Sequence, residues 1–515
     1  MVRRLGQPRC FPNLRRYQHT FGLKPNLLQE LSERGFVSAL TSPELNTHVN
    51  SPTCVYAGID PSASSLHVGN LLPLMGLLHF QAAGHQAITL IGGATGSIGD
   101  PSGRSTERPI LSPSQLQENV QGITAQVHRF FARGHEYMDE SPTLKGKERE
   151  GRSQERVLNN LDWFSSMGIL DFLRDVGKLA RVNVILAREP LVFSSASTIQ
   201  PKNSRTPDGE FSYQLLQAYD FSVLNRDHGC RVQLGGSDQW GNIVAGIELI
   251  KRQRAALVDS AEKRNSGESK RKTTTKKKEG KDGEDGKDDD EYEVFGLTIP
   301  LLTAENGDKF GKSAGNAIWL DEKRTSVSDF YQFFLRTTDE RVDQYLKLFT
   351  LLPLERIEQA MSFHMRPDRR KMRTAQTLLA DEVTRLIHGA EGVHRAHLAR
   401  DILFRSAPLE LTTSSVLEAL DSDPKLKHVK WSEVKGVPVT KLAVVFGLCK
   451  SRAEATRAVS IEKCFWINQR KVGDPRDELK RSDLVDGHII VIKVGMKQHI
   501  VLNVESAPPI QNPIM

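Results

Sequence analysis

Between Tyr56 and Asn70 the chain reads Y-A-G-I-D-P-S-A-S-S-L-H-V-G-N. The residues able to do chemistry there are Tyr56, Asp60, His67 and Asn70, with Gly58 and Gly69 between them. A β-type run, Thr53 to Tyr56, leads in. The small residues Ser62 to Ser65 make a turn, and the apolar run L-L-P-L-M-G-L-L-H-F follows. Strand, turn, polar tetrad and helix start suit a nucleotide, because a helix N-terminus presents free N–H groups and positive dipole to phosphate. Gly69 leaves room for a ribose or purine against the backbone. An ordinary βα turn with an incidental histidine reads the same way over this stretch. About 240 residues further on stands a second short polar run, Lys309-Phe310-Gly311-Lys312-Ser313.

The elements that position these residues can be read in order. Leu27 to Phe36 has helical leucine spacing and ends at Gly35, a C-cap. Gln86 to Ile91 reads as a buried strand running into a glycine-rich stretch, Gly92 to Arg108, that carries Asp100 and Arg108. Strand, helix and strand in so short a span make half of a doubly wound nucleotide fold. Arg133 to Arg156 is polar and reads as a surface excursion, and Asn159-Asn160-Leu161-Asp162-Trp163 restarts order. Phe211 to Phe221 is helical, with Tyr213, Gln217 and Asp220 on one face; that face is either solvated decoration or a site. Cys230 to Leu234, G-G-S-D-Q-W-G-N and the helix Ile243 to Arg252 form a second strand–glycine–helix unit, with Asp238 placed for a ribose hydroxyl. Phe295 to Leu302 is strand-like and leads to Lys309–Ser313. Helical patterns dominate from Thr325 to Leu403, including Met372 to His388, and read as a separate all-helical domain.

Composition sets the outer limits. At 515 residues the chain exceeds one core, so about two to four domains are expected. The 38% hydrophobic and 26% charged content is that of a globular protein. No apolar run approaches the ~20 residues of a membrane span. A net charge of +7 permits a polyanion partner without specifying one. Cys10, Cys54, Cys230, Cys449 and Cys464 are scattered and form no CxxC pair, which argues against a zinc site or a disulfide framework. Arg3, Arg4, Arg9, Arg15, Arg16 and Lys24 precede the first acid, Glu30. Such an Arg-rich, acid-free start reads as a mitochondrial transit peptide, the competing reading being a basic tail that binds RNA. Asp259 to Glu293 is low complexity, Lys-rich and then acid-rich, and reads as a disordered insertion. After Val437, Ser451-Arg452-Ala453-Glu454-Ala455 opens a helix. Phe465-Trp466-Ile467-Asn468, basic Arg470 and Lys471, and the strand His488 to Val494 follow.

Together, Tyr56–Asn70 and Lys309–Ser313 resemble the HIGH and KMSKS signatures of class I aminoacyl-tRNA synthetases. Five blocks in family order make the chain similar to tyrosyl-tRNA synthetases of the bacterial and organellar type: the first run, G-G-A-T-G-S-I-G-D-P-S-G, F-S-Y-Q-L-L-Q-A-Y-D-F, Q-L-G-G-S-D-Q-W-G-N-I and K-F-G-K-S. The leader and the insertion resemble those of fungal mitochondrial members. The fold implied is α/β, a class I synthetase Rossmann-like doubly wound parallel sheet, followed by an all-α domain and a small α/β S4-like RNA-binding domain. The boundaries expected are a leader over 1–24, a catalytic domain over 25–324 holding the 259–293 insertion, a helical anticodon-recognition domain over 325–420, the S4-like domain over 437–502, and a tail over 503–515.

The resemblance implies that L-tyrosine and ATP form tyrosyl-adenylate, which passes to the 3′ end of tRNA-Tyr for mitochondrial translation, in a homodimer of the mitochondrial matrix. Mg²⁺ accompanies ATP, and no protein-bound metal is implied. By family position the catalytic group is Lys309, Lys312, His67 and Asn70, the two lysines holding the β- and γ-phosphates. Tyr56 and Asp220 take the phenol hydroxyl, and Asp100, Tyr213 and Gln217 the α-amino group, with Gln233 in the same pocket. ATP or the adenylate is bordered by Gly58, Asp60, His67, Gly69, Asn70, Gly236, Asp238, Gln239, Lys309, Lys312 and Ser313. Arg104 and Arg108 are candidates for pyrophosphate or the tRNA end, and Arg452, Arg457, Arg470 and Lys471 for RNA. The sequence departs from the commonest pattern at Asn70, where many members have a second histidine. Besides a small-molecule adenylyltransferase sharing the HxGN-type element, in which the helical and S4-like domains would have no purpose, two other functions share these features. One is a tryptophanyl-tRNA synthetase, against which the Tyr56/Asp220 pair and the S4-like tail argue. The other is an RNA-binding group I intron splicing cofactor, as a second or sole role; Lys312 and His67 would have no purpose in the latter alone.

Overall fold

A central sheet of six strands, drawn from Ala39 to Ile299, organises the first part of the chain. The computed structural model describes residues 26–100, 111–140, 155–179, 207–268, 293–302, 317–404, 412–421, 423–495 and 498–505. The strands are β1 (Ala39–Leu40), β2 (Cys54–Ile59), β3 (Gln86–Ile91), β4 (Arg156–Asn159), β5 (Val232–Gly236) and β6 (Phe295–Ile299), in the spatial order β1-β6-β5-β2-β3-β4. Only β1 runs antiparallel. From β2 the chain winds outward through β3 to β4, then returns to lay β5 on the other side of β2. The winding direction therefore reverses between β2 and β5, and ligands bind at the carboxyl ends of strands at such a point.

Local sequence explains most of this. β2 (C-V-Y-A-G-I) is buried on both faces except at Gly58, the near-continuous apolar pattern of a covered parallel strand. One face carries Val55, Ala57 and Ala87 into a large core with the helix Val68–Ala82 and Phe130 and Phe131 of the helix Pro113–Glu140. The other carries Tyr56, Ile88 and Leu90 against Phe221 and Leu224 of the helix Pro207–His228 and Ile243 and Ile247 of the helix Trp240–Glu268. β3 occupies the expected residues. β5 lies two residues later than expected, because its pairing with β2 and β6 carries the ladder on through Gly235 and Gly236.

Three expectations are corrected. The surface excursion expected from Arg133 begins instead as the last turns of the helix Pro113–Glu140, where Gly134 and Met138 continue the buried stripe of Ile123, Val127 and Phe130. Gly134 allows close packing there, since an added Cβ would meet the end of the Leu78 side chain at 2.7 Å. The helical region does not keep a separate core: Phe330, Leu346, Leu379 and Val383 join the same cluster as Leu71 and Phe131. Its longest helix runs Thr374–Phe404 and breaks at Gly389, whose φ of 77° favours glycine. The C-terminal unit is also wider than 437–502. Its sheet has the order β7-β11-β10-β8-β9, with β7 (Leu426–Lys430), β8 (Phe465–Ile467), β9 (Arg470–Lys471), β10 (Ile489–Val494) and β11 (Gln498–Glu505). β7 pairs with β11 as far as Glu505, but its L-K-H-V-K buries only Val429, so no apolar alternation announces it. Among the described residues no helix is long and apolar enough to cross a membrane.

Candidate active site

Tyr56, in the middle of β2, stands opposite Gln233 of β5 and packs its ring 5.3 Å from Phe221. Its hydroxyl is buried and has no hydrogen-bond partner among the described residues. Leaving such a group unsatisfied costs about 1–3 kcal/mol, which points to a partner supplied from outside the chain. Asp220 lies beside it on the helix Pro207–His228. One carboxylate oxygen accepts from Trp163 Nε1 at 2.9 Å and the other from Asn160 Nδ2 at 3.1 Å. Burial pushes the Asp220 carboxyl up to about 8, against the pull of those two donors. Burial also raises the Tyr56 phenol, and the neighbouring Asp220 raises it further.

Asn160 is fully buried and ties the site together. Its amide donates to Thr95 Oγ1 at 3.0 Å as well as to Asp220, and its oxygen accepts from the Ala94 N–H at 2.7 Å. Thr95 donates to Asp60 at 3.1 Å, and the Tyr213 hydroxyl donates to the other Asp60 oxygen at 3.0 Å. Gln239 donates to Asp100 at 2.8 Å, and Asn242 to Gln217 at 2.9 Å. Glycine makes this crowding possible, because a Cβ on Gly92 would collide with Asp60 and Thr95, and one on Gly93 with Asn159.

These groups enclose a cavity of about 160 Å³ at the β2/β5 crevice. The six residues expected around tyrosine, Tyr56, Asp100, Tyr213, Gln217, Asp220 and Gln233, all line it, as do Gly58, Asp60, Gly236 and Gln239 of the nucleotide set. The face of Tyr213, Gln217 and Asp220 therefore borders a cavity and is not solvated decoration. His67, Gly69, Asn70 and Asp238 do not line it. A larger opening of about 880 Å³ lies at the opposite, amino ends of the strands, lined by His48, Gln86, His228 and Arg231 among others; among the described residues, none of those expected at the site borders it.

His67 caps the helix Val68–Ala82. Its Nδ1 accepts from the Gly69 N–H at 3.0 Å, while Asn70 Oδ1 accepts from the His67 N–H at 3.1 Å. The neutral ring thus carries its hydrogen on Nε2, and Asn70 keeps its Nδ2 as a donor. Lys309, Lys312 and Ser313 lie outside the described residues, as do Arg104 and Arg108. The chain that follows the lysine run is fastened to this helix start. Val68 donates to Ile318 O at 2.9 Å, Leu320 donates to Leu66 O at 2.8 Å, and Trp319 lies 6.0 Å from the His67 ring.

Sequence reasoning missed Asn160, Trp163 and Thr95. They stand 57 residues or more from Asp220, so no local spacing links them; the available signal was a buried carboxylate needing donors. Arg470, an expected RNA contact, is paired with both Asp477 and Asp483. Arg457 is exposed and pairs with Glu462 at 3.2 Å, while Arg452 and Lys471 are exposed. Among the described residues no group of three or more His, Cys, Asp or Glu is gathered to hold a metal ion.

Residues 48–405 match the family described as tRNA synthetases class I (W and Y), and the chain belongs to that family. The mitochondrial tyrosine–tRNA ligase of Drosophila melanogaster is 36% identical over 95% of this chain and 96% of its own length. That of Saccharomyces cerevisiae is 35% identical over 93% of this chain and 88% of its own. A C-terminally truncated Aspergillus nidulans mitochondrial tyrosyl-tRNA synthetase superposes with a TM-score of 0.58 at 30% identity, covering 74% of this chain and 94% of its own. Within the family the chain falls among the tyrosine–tRNA ligases.

Proposed function

We propose that the β2/β5 cavity is the tyrosine pocket of a tyrosine–tRNA ligase that works in mitochondria. The observation that carries this reading is the pair formed by Tyr56, whose buried hydroxyl lacks a partner, and the buried carboxyl of Asp220. A phenol hydroxyl both donates and accepts, so it satisfies the two together. Phenylalanine satisfies neither, and an indole N–H can only donate. Discrimination against phenylalanine of roughly 10⁵-fold is an established value for tyrosyl-tRNA synthetases, and the geometry accounts for its origin rather than its size.

Asp100, Tyr213 and Gln217 hold the α-amino group, with Gln233 beside them. Gly58, Asp60, Gly236 and Gln239 border the adenylate, and the His67 cap presents the helix start to ATP. In the first step a carboxylate oxygen of tyrosine attacks the α-phosphorus of ATP; the P–O bond to the β-phosphate breaks and pyrophosphate leaves. The nucleophile is already ionised, so the residues supply position and charge neutralisation instead of a general base. Lys309 and Lys312 neutralise the leaving pyrophosphate, and Mg²⁺ enters with ATP as its counterion. In the second step a ribose hydroxyl of the terminal adenosine attacks the carbonyl carbon; the bond from that carbon to the phosphate oxygen breaks, and AMP departs with its phosphate taking up the hydroxyl proton.

The mitochondrial relatives and the Arg-rich start support a matrix location. The C-terminal unit is read as the S4-like RNA-binding domain and the helical region as the anticodon-recognition domain. A homodimer is supported by exposed Ile169, Leu170 and Leu173, apolar surface that a second copy would cover. Sedimentation showing a single chain at micromolar concentration would remove that part.

The test of function is amino-acid-dependent ATP–pyrophosphate exchange with tyrosine, tryptophan and phenylalanine. Exchange with tyrosine alone, lost in Lys312→Ala, is the expected result; folded protein without exchange sinks the reading. Tyr56→Phe offers a sharper check. It deletes a buried hydroxyl without a partner, so thermal stability should hold or rise, while the KM for tyrosine should rise about tenfold. A stability loss without a KM change would show that the hydroxyl serves the fold instead.

A further inference from the structure

We propose that Trp466 is a base-stacking platform for an unpaired nucleotide of the tRNA, with Lys471 and Lys493 beside it as phosphate contacts. The identity of the RNA rests on the ligase reading above; the platform itself does not.

On β8, Phe465 and Ile467 point into the C-terminal core and are fully buried, whereas Trp466 faces the other way and is 36% exposed. In register, Trp466 stands directly opposite Lys471 of β9 and Lys493 of β10. Directly opposed residues of neighbouring strands share a face, so the three form one row. The Lys471 ammonium lies 5.7 Å from the indole centroid.

Further along the same face, Ile489 and Val491 of β10 and Val501 of β11 are covered by Ala399, Ile402, Val416 and Leu420 of two helices. Trp466 is not part of that covered cluster; it is partly exposed, with a lysine opposite it on either side.

Charge says what kind of partner fits. Residues 426–505 hold 15 lysines and arginines against 9 aspartates and glutamates, a net +6 of the whole chain's +7. An exposed aromatic set among cations on an open sheet is the chemistry of single-stranded RNA: the base stacks on the ring, and ammonium groups meet the flanking phosphates. Lys493 is half-buried, and that burial lowers its pKa, so a phosphate beside it would favour its charged form. Arg470, the neighbour held by Asp477 and Asp483, fixes the β8–β9 turn and leaves Lys471 as the outward cation.

The test uses the full chain and transcribed tRNA-Tyr. Trp466→Ala should raise the tRNA Kd, and the tRNA KM of aminoacylation, roughly 5- to 150-fold, the range of one base–aromatic stack. Trp466→Phe should restore most of the loss. Lys471→Ala should weaken binding and make the slope of log Kd against log salt shallower by about 0.7 to 0.9. Unchanged Kd in Trp466→Ala, or equal losses in the alanine and phenylalanine variants, overturns the platform. Tyrosine-dependent exchange by the wild-type protein, which needs no RNA, separates the two readings. Its absence, with tRNA binding still dependent on Trp466, would end the ligase reading and leave the platform standing.

Discussion

Asp220→Ala is expected to lower kcat/KM for tyrosine in the exchange reaction by on the order of a thousandfold, equivalent to about 4 kcal/mol. On the proposed reading the carboxyl anchors the phenol hydroxyl, and in the fold it accepts from Trp163 Nε1 and Asn160 Nδ2. Alanine leaves both donors without an acceptor. Water can serve them in the empty pocket, but a tyrosine ring in place excludes it. The preference for tyrosine over phenylalanine should collapse in the same variant, since the group that phenylalanine leaves unpaired is gone. Steady-state exchange with both amino acids reads the two effects, and near-wild-type kcat/KM would place the hydroxyl elsewhere.

The same carboxyl imposes a pH dependence on folding. In the unfolded chain it titrates near the ordinary 3.8, whereas in the fold burial holds its proton up to about 8. Across that window the folded state binds a proton that the unfolded state has released. Its contribution to stability therefore falls as pH rises from about 4 to about 8 and levels off above. Asp220→Asn removes the titration and should remove that slope. Thermal melts of both proteins across the window test it, and equal slopes would show the carboxyl ionised in the fold.

Asn160→Ala should destabilise the catalytic part by about 3 kcal/mol and cost tyrosine activity as well. The side chain is fully buried and makes three polar contacts, to Ala94, Thr95 and Asp220. Removing it strands the Ala94 N–H and takes a donor from Asp220. It also frees Thr95, whose hydroxyl otherwise orients Asp60. Chemical denaturation followed by tryptophan fluorescence gives the stability, and exchange gives the activity. Asn160→Asp keeps the shape but turns a donor toward Asp220 into an acceptor, so it should lose activity too. Full activity in both variants would mean that Asp220 is held by Trp163 alone.

The sequence by itself determined the parts of this protein whose signals are local. A strand that runs into glycines, a histidine followed by a glycine at a helix start, and three polar residues on one helical face are patterns a few residues long. Each of these marked a real element of the sheet and its crevice. The residues expected to meet a phenol and an amino group came from the family resemblance, and their donor and acceptor types are consistent with that assignment.

Only the tertiary structure decided which groups answer one another. Asn160 and Trp163 reach Asp220 across more than fifty residues of chain, and the pocket exists because β5 returns to the other side of β2. Tertiary pairing also turned Arg470, an exposed cation by sequence, into the partner of two carboxylates, and set Trp466 between Lys471 and Lys493. Strand register and helix crossings bring those residues together, and both are settled by burial of the apolar faces. Polar side chains are then left to find partners that no local spacing specifies.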